Sequence, residues 1–154
     1  MDTLTEAEIK ALHEALDDEY MACSTYDQVI QDFGEVAPFS NIRDAERRHI
    51  TSLLALYKRY GLPVPENTWS GRVDRYPSLL AACQAGVAAE IANGGMYERL
   101  LSVIEKPDIR RVLTHLQAAS QQRHLPAFQR CVAGGGRYGC GQGMRHRRGH
   151  RGQV

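Results

Sequence analysis

Residues 39–60 have the sequence FSNIRDAERRHITSLLALYKRY, and this stretch decides the fold class. Its apolar side chains recur at alternating spacings of three and four residues, the period of a helix with one face in a bundle core. Glu46 and His49 interrupt the apolar stripe at its centre, three residues apart on one face. A buried carboxylate is costly unless it is paired or bound to a cation. We therefore expect a helix whose buried face holds potential metal ligands.

Three other segments repeat this pattern of an apolar stripe with one polar interruption. Glu19 lies at the centre of the stripe in residues 5–33, Glu90 in a third segment, and His124 in a fourth. Three carboxylates and two imidazoles at the middle of four helices need a shared partner, because none of them is stable alone in a core. The sequence thus predicts an all-α protein, an antiparallel four-helix bundle with a buried metal site.

Capping and breaking residues give the helix boundaries. Thr5 with Glu8 forms a capping box, and Gly34 is a suitable residue just beyond a helix end. Gly61-Leu62-Pro63 ends the second helix, Ser78 caps the third, and Lys106-Pro107-Asp108 separates the third from the fourth.

The connection between the second and third helices is unusually long. Residues 61–77 can reach roughly 56 Å when extended, whereas a 24-residue helix is roughly 36 Å long. The connection can therefore cross the whole bundle and join two antiparallel hairpins, which is the connectivity of ferritin-like folds. We expect Trp69 to be a buried residue that pins this crossover to the bundle.

Length and composition predict one compact domain with a tail. The chain has 154 residues, of which 43% are apolar, enough for a sizeable core. We assign residues 1–133 to the bundle. Residues 134–154 contain eight glycines, five arginines and no acidic residue, and we expect them to be a disordered basic extension.

The amino terminus and the hydropathy pattern bear on location and partners. Residues 1–6 lack a basic region followed by an apolar one, and no 18-residue apolar run occurs in the sequence. We expect a cytoplasmic protein without a membrane partner, and nucleic acid as a partner only through the basic tail. The tail also offers an alternative soft-metal site, formed by Cys140, Met144, His146 and His150.

The cysteines lack the spacing of a zinc knuckle or of a secreted disulfide framework. In the crossover topology, Cys23, Cys83 and Cys131 fall on one side of the metal layer, with Cys83 facing Cys131. Buried thiols are the expected state in a reducing cytosol. A disulfide, a redox pair and a Cu(I) site are the alternatives.

Several motifs resemble those of a known family. The arrangement Glu…Glu-x-x-His…Glu…His is similar to that of ferritin-like, rubrerythrin-like carboxylate-bridged di-iron proteins, over about residues 5–131. More narrowly, the chain looks like a largely uncharacterised prokaryotic branch of that superfamily, known mainly as a domain of unknown function. The segments that resemble this branch are 39–42 (FSNI), 46–49 (ERRH), 59–63 (RYGLP), 107–111 (PDIRR) and 124–128 (HLPAF).

The resemblance implies a site and an activity. Two iron ions per chain are expected, with manganese or copper as alternatives, in an oxidoreductase of ferroxidase or peroxidase type. It would react with dioxygen or peroxide, take electrons from an external donor, and form a homodimer. In this hypothesis Glu46 and Glu90 bridge the metals and take part in catalysis, and Tyr97 lies near enough for electron transfer. The expected metal ligands are Glu19, Glu46, His49, Glu90, His124 and, from a precedent among ferritins, Gln121.

The chain also departs from the family pattern. Asn93 stands where rubrerythrin-like proteins usually have a second carboxylate in the third helix, and Ser120 and Gln121 precede His124 in place of glutamate. Gly94 and Gly95 weaken the third helix, which predicts a π-bulge that redirects Glu90, close helix packing, or a small cavity that admits an oxidant. The functional alternative is a metal-binding or copper-handling bundle without catalysis.

Overall fold

The computed structural model describes residues 3–137, and within that range the protein is a helical bundle without strands. No helix in the described range is long and apolar enough to cross a membrane. The fourth helix of the bundle is continuous but contains a π-helical turn. The elements are α1 (Glu6–Phe33), α2 (Phe39–Arg59), α3 (Leu79–Leu101), α4 (Pro107–Ala119), the π turn (Ser120–His124) and α5 (Leu125–Ala133). The predicted tail beyond residue 137, with its soft-metal alternative, lies outside the described residues.

The helix boundaries agree with the capping signals in the sequence. The Thr5 side chain accepts a hydrogen bond from the Glu8 amide, and the Glu8 side chain accepts one from the Thr5 amide, which completes the capping box. Gly34 has a φ of 97°, a conformation that favours glycine, and its amide donates to the carbonyl of Ile30. The Ser78 hydroxyl accepts from the Ala81 amide, and Pro107 begins α4.

Glu8 does more than cap α1, because its second oxygen reaches a distant loop. Its Oε2 accepts hydrogen bonds from the amides of Glu105 (3.0 Å) and Lys106 (3.3 Å) in the loop before α4. Burial raises the pKa of Glu8, but the hydrogen bonds from Thr5, Glu105 and Lys106 outweigh it and hold the pKa below its ordinary value. The ionised form is therefore stabilised by folding.

We expect Glu8→Gln to lower the free energy of unfolding at pH 7 by about 1.5 kcal/mol, since it replaces charge-assisted hydrogen bonds with neutral ones. A depressed folded-state pKa gives stability that is present above the unfolded-state pKa and lost as the pH falls through the folded-state value. Urea unfolding between pH 3 and 7 should thus show a shallower loss of stability in the variant. Glu6→Gln, an exposed position in the same helical turn, is the control. Equal pH dependence in both variants would contradict this role of Glu8.

Two apolar clusters fill the bundle, one towards each end. The first contains Leu16 of α1, Leu53 of α2, Tyr97 of α3 and Leu116 of α4. The second contains residues from the same four helices, namely Tyr26, Ile42, Cys83 and Phe128. The residues between the two clusters are the polar interruptions noted in the sequence. A polar layer is therefore enclosed by apolar side chains on both sides.

The connection between α2 and α3 runs along α1. The Tyr20 hydroxyl donates to the carbonyl of Pro65, and Arg75 pairs with Asp32 at the far end of α1. Trp69 is only half-buried, so the prediction of a buried tryptophan is wrong. Its ring nitrogen instead donates to Asp17 Oδ1 at 2.9 Å, and this hydrogen bond attaches the connection to the surface of α1.

Cys83 of α3 and Cys131 of α5 form a disulfide. Their Cα atoms are 6.1 Å apart, a separation within the range that a disulfide spans. The expectation of buried thiols is therefore wrong for this pair, because the two helices bring the facing cysteines to bonding distance. Cys23 is a buried free thiol, as expected.

Candidate metal centre

All five acidic and histidine ligands expected from the sequence lie in the polar layer between the apolar clusters. Each helix contributes from the middle of its length, so the side chains converge on the bundle axis. None is more than 7% exposed. These residues are Glu19, Glu46, His49, Glu90 and His124.

Glu46 lies between the two imidazoles and faces both. Its Oε2 is 3.4 Å from His49 Nδ1, and its Oε1 is 3.1 Å from His124 Nδ1. Each carboxylate oxygen therefore belongs to a different group of potential ligands. A carboxylate in this position can bridge two cations, because each oxygen can bind one of them.

Glu19 and Glu90 complete the two groups on opposite sides of Glu46. His49 Nδ1 is 3.6 Å from Glu19 Oε2, and His124 Nδ1 is 3.5 Å from Glu90 Oε1. Within each group the three potential ligand atoms lie within 4.8 Å of one another. The separations of 3.1–3.6 Å between each imidazole and its carboxylates suit one shared ion, because two bonds of about 2.0–2.2 Å place their ligand atoms no more than about 4.4 Å apart. We expected both Glu46 and Glu90 to bridge, but Glu46 belongs to both groups and Glu90 to one.

Three buried polar atoms in the described residues have no hydrogen-bond partner, and all three belong to these groups. They are Glu19 Oε2, His49 Nδ1 and His124 Nδ1. The 3.1 Å between His124 and Glu46 is short enough for a hydrogen bond, but the atoms are not aligned for one. Each unsatisfied buried group costs about 1–3 kcal/mol. Cations bound to both groups would satisfy all three atoms, so the residues present fit a pair of metal ions.

The charges of the layer depend on one another. Burial, together with the charge of Glu46, raises the pKa of Glu19 well above its ordinary value. Burial also raises the pKa of Glu46, but the polar groups of Glu19, His124 and His49 close to its carboxylate outweigh burial and lower that pKa. Burial lowers the pKa of His124, yet the carboxylates of Glu46 and Glu90 outweigh it and raise the pKa to about 9. A proton on Glu19 and a charged His124 imidazole thus offset the ionised Glu46 carboxylate here, and metal ions would displace those protons.

Two tyrosines hold the outer carboxylates by reciprocal contacts between α1 and α3. The Tyr97 hydroxyl of α3 donates to Glu19 Oε1 of α1. The Tyr26 hydroxyl of α1 donates to Glu90 Oε1 of α3 at 3.3 Å. A tyrosine of α3 therefore orients the carboxylate of α1, and a tyrosine of α1 orients the carboxylate of α3. Tyr97, which we expected to be catalytic, contacts the polar layer through a potential ligand, Glu19.

Sequence reasoning missed the role of Ser120. Its hydroxyl donates to Glu90 Oε2 and so holds the oxygen that does not face His124. The available signal was its position in the apolar stripe of the fourth helix, where a hydroxyl needs a buried partner. We predicted Gln121 as a ligand, and it lies beside Glu90 in the structure. Its amide nitrogen donates to the main-chain carbonyl of Glu90 at 2.6 Å.

The π-helical distortion occurs in the fourth helix and not in the third. α3 is a regular α-helix through Gly94, whereas residues 120–124 form the π turn and end at His124. Pro126 lies two residues later and has no N–H to donate to the carbonyl of residue 122, as an α-helix would require. A Cβ at Gly94 would lie 2.7 Å from the Gln121 side chain, so that glycine permits close packing. The π-bulge expected in α3 is therefore wrong, and its close-packing alternative is confirmed at Gly94.

Two cavities approach the polar layer from opposite sides. One, of about 500 Å³, lies against α1 and α3 and is lined in part by Tyr26, Asn93 and Asp18. Burial, then the charges of Glu46 and Glu90, raise the pKa of Asp18 to about 7. The other cavity, of about 450 Å³, lies between α2 and the fourth helix and is lined by His49 and His124. The second cavity thus reaches two of the proposed ligands directly, whereas the first reaches Tyr26, which donates to Glu90.

Comparison with known proteins identifies a similar fold. No protein-family model matches this chain, and no curated protein is significantly similar to it. The crystal structure of the hypothetical protein MJ0754 from Methanococcus jannaschii DSM 2661 superposes with a TM-score of 0.78. The two chains are 22% identical, and the match covers 88% of this chain and 85% of that one. At this level of identity the likeness shows the fold alone.

Proposed function

We propose that the protein is a ferritin-like di-metal oxidoreductase that binds two ions, iron before manganese or copper, and reacts with dioxygen or peroxide. One group, Glu19, Glu46 and His49, would hold the first ion. The second group, Glu46, Glu90 and His124, would hold the other. Iron held in this way supplies the redox equivalents for a ferroxidase or peroxidase reaction. The protein residues would hold the ions, with Glu46 common to both groups, and the apolar clusters on either side would limit contact with water.

The observation that supports this most directly is the set of three buried polar atoms without partners. Glu19 Oε2, His49 Nδ1 and His124 Nδ1 all face the space between the proposed ligands. A purely structural core would satisfy such atoms with hydrogen bonds or replace them with apolar groups. A metal layer explains why the atoms are buried and why they are unpaired.

The donor set favours iron or manganese over Cu(I). Both groups contain only carboxylate oxygen and imidazole nitrogen, which suit iron, manganese and zinc, whereas Cu(I) favours sulfur. Of the three cysteines in the described residues, Cys83 and Cys131 are joined in a disulfide. The copper-handling alternative therefore has less support within the bundle.

The order in which the helices meet the apolar clusters supports the ferritin-like arrangement. Along α1 and along the fourth helix, the first cluster precedes the second, whereas along α2 and α3 the second precedes the first. In this proposal α2 and α3 are parallel, so the connection between them has to traverse the bundle. The contacts of that connection along α1 agree with such a crossover. The tyrosine contacts also agree with this arrangement. The earlier residue of α1, Glu19, contacts the later residue of α3, Tyr97. The later residue of α1, Tyr26, contacts the earlier residue of α3, Glu90, as expected for antiparallel helices.

Tyr97 is proposed as a positioning residue, since it acts on Glu19 and not on a reacting atom. Tyr26 and Ser120 would do the same for Glu90. An external electron donor and a homodimer remain part of the proposal.

Anaerobic loading with Fe(II), followed by metal analysis and exposure to air or peroxide, tests the function. We expect about two irons per chain, one for each group, and a near-ultraviolet absorbance that appears on oxidation and decays with turnover. Two bound irons without reaction would favour the non-catalytic metal-binding alternative. Absence of bound iron would contradict the proposal.

A further inference from the structure

The cavity between α2 and the fourth helix has an unusual balance of charge. Its basic residues are Arg48 and His49 of α2, His115 of α4, and Arg123 and His124 of the π turn. No acidic residue lines it. Asn41 and Ser52 add hydrogen-bonding groups, and alanine and isoleucine side chains form much of the remaining wall. The cavity is therefore a cleft with guanidinium and imidazole groups and without a compensating carboxylate in its lining.

The two guanidinium groups of this cleft lack partners among residues 3–137. Arg48 and Arg123 are exposed, and neither forms an ion pair or a side-chain hydrogen bond there. Their neighbour Arg47 differs, because it pairs with Asp27 Oδ1 at 3.3 Å on the other side of α2. An unpaired guanidinium group beside a concave surface is a planar fork of donors that can bind two oxygens of a carboxylate or a phosphate group.

We infer that this cleft binds the substrate of the metal centre and that the substrate is an organic oxyanion, a molecule with a carboxylate or phosphate group. Arg48 and Arg123 would pair with the oxyanion, and the rest of the molecule would lie against the apolar wall towards His49 and His124. This inference rests on the proposed function for the role of the metal centre. It adds a substrate class, because dioxygen and peroxide are neutral and do not need paired guanidinium groups.

The size and position of the cleft agree with this class of substrate. Its volume of about 450 Å³ is within the range of small-molecule pockets and exceeds what a diatomic oxidant requires. His49 is 7% exposed and His124 3% exposed, so the cleft ends at the imidazoles of the two metal groups. The cavity on the other side of the layer contains Glu14, Asp18 and Asp74 as well as arginines, and so lacks a uniform positive charge.

Inorganic phosphate added to the metal-free protein at low ionic strength is the probe that tests this cleft. Amide resonances of Ala45 and Ala119, which line it, should shift in a saturable manner in the wild-type protein. In Arg48→Gln/Arg123→Gln the apparent dissociation constant should rise about tenfold or more, because charge-assisted hydrogen bonds are lost. Arg47→Gln is the matched control, adjacent in sequence but paired with Asp27, and should bind phosphate like the wild type. The dispersion of the same spectra reports whether each variant is folded.

The outcomes separate this inference from the proposed function. If the cleft amides of the wild type do not shift, or if the folded double variant binds phosphate as tightly as the wild type, the inference is overturned. Those results do not depend on metal binding, since the protein is metal-free. If phosphate binds as expected but metal analysis finds no iron, the anion site stands and the proposed metal centre fails.

Discussion

Glu46→Gln is expected to abolish binding at both metal positions, with at least about a 100-fold loss of affinity at each. The reason is that Glu46 is the residue shared by the two groups, with one oxygen facing each imidazole. Loss of a well-placed ligand exceeds the effect of losing its supporting hydrogen bonds, which costs about 10–100-fold. Glu19→Gln and Glu90→Gln should each affect one position and leave about one ion bound. Metal-to-protein ratios after equilibrium dialysis distinguish the three variants.

Asp44→Asn is the matched control for this experiment, because Asp44 lies on the same helix two residues before Glu46 but is exposed. It should bind metal as the wild type does. If Glu46→Gln retained one tightly bound ion, Glu46 would not be a shared ligand. If all three glutamate variants behaved like Asp44→Asn, the metal would be bound elsewhere.

Removal of the disulfide is expected to cost about 4 kcal/mol of unfolding free energy. Cys83 and Cys131 are 48 residues apart, and closing a loop of this length restricts the unfolded chain by roughly that amount in the chain-entropy estimate. The Cys83→Ala/Cys131→Ala variant should therefore have a clearly lower midpoint in urea. Wild-type protein unfolded in the presence of a reductant should approach the same midpoint.

Cys23→Ala is the control for the disulfide, since Cys23 is buried but free. This variant loses a buried thiol but keeps the cross-link, so its midpoint of unfolding in urea should change much less. A double variant as stable as Cys23→Ala would contradict a disulfide between α3 and α5.

The helix boundaries and the residues of the polar layer could be predicted because both depend on local rules. Thr5, Gly34, Ser78 and Pro107 act within one helical turn, so spacing alone identifies them. The carboxylates and imidazoles of the polar layer were visible because they break an apolar stripe of known period. The sequence therefore shows which face of a helix each side chain occupies.

The partners of each side chain were harder to predict, because they depend on how two helices pack. Ser120 and Gln121 both precede His124, yet the π turn directs Ser120 to the carboxylate of Glu90 and Gln121 to its main-chain carbonyl. The glycines at 94 and 95 suggested a π turn in the third helix, but the turn lies in the fourth, just before Pro126, which has no N–H to donate. The burial of Trp69 was also predicted wrongly. The exposure of a loop residue depends on how the loop packs against the helices, and the sequence does not show that packing.

The cleft could not be predicted from sequence for a similar reason. Arg48 and Arg123 lie on different helices, and their convergence on one cavity depends on the angle between those helices. Arg47 and Arg48 are adjacent and identical in type, but one pairs with Asp27 and the other lines the cleft.

The central claim is that two metal ions bind in the polar layer, and anomalous diffraction from crystals of iron-loaded protein tests it most directly. Data collected above and below the iron absorption edge should give two peaks, one beside Glu19, Glu46 and His49 and one beside Glu46, Glu90 and His124. The two peaks should be on opposite sides of the Glu46 carboxylate. Absence of iron peaks in the layer, or iron bound only outside it, would contradict the account.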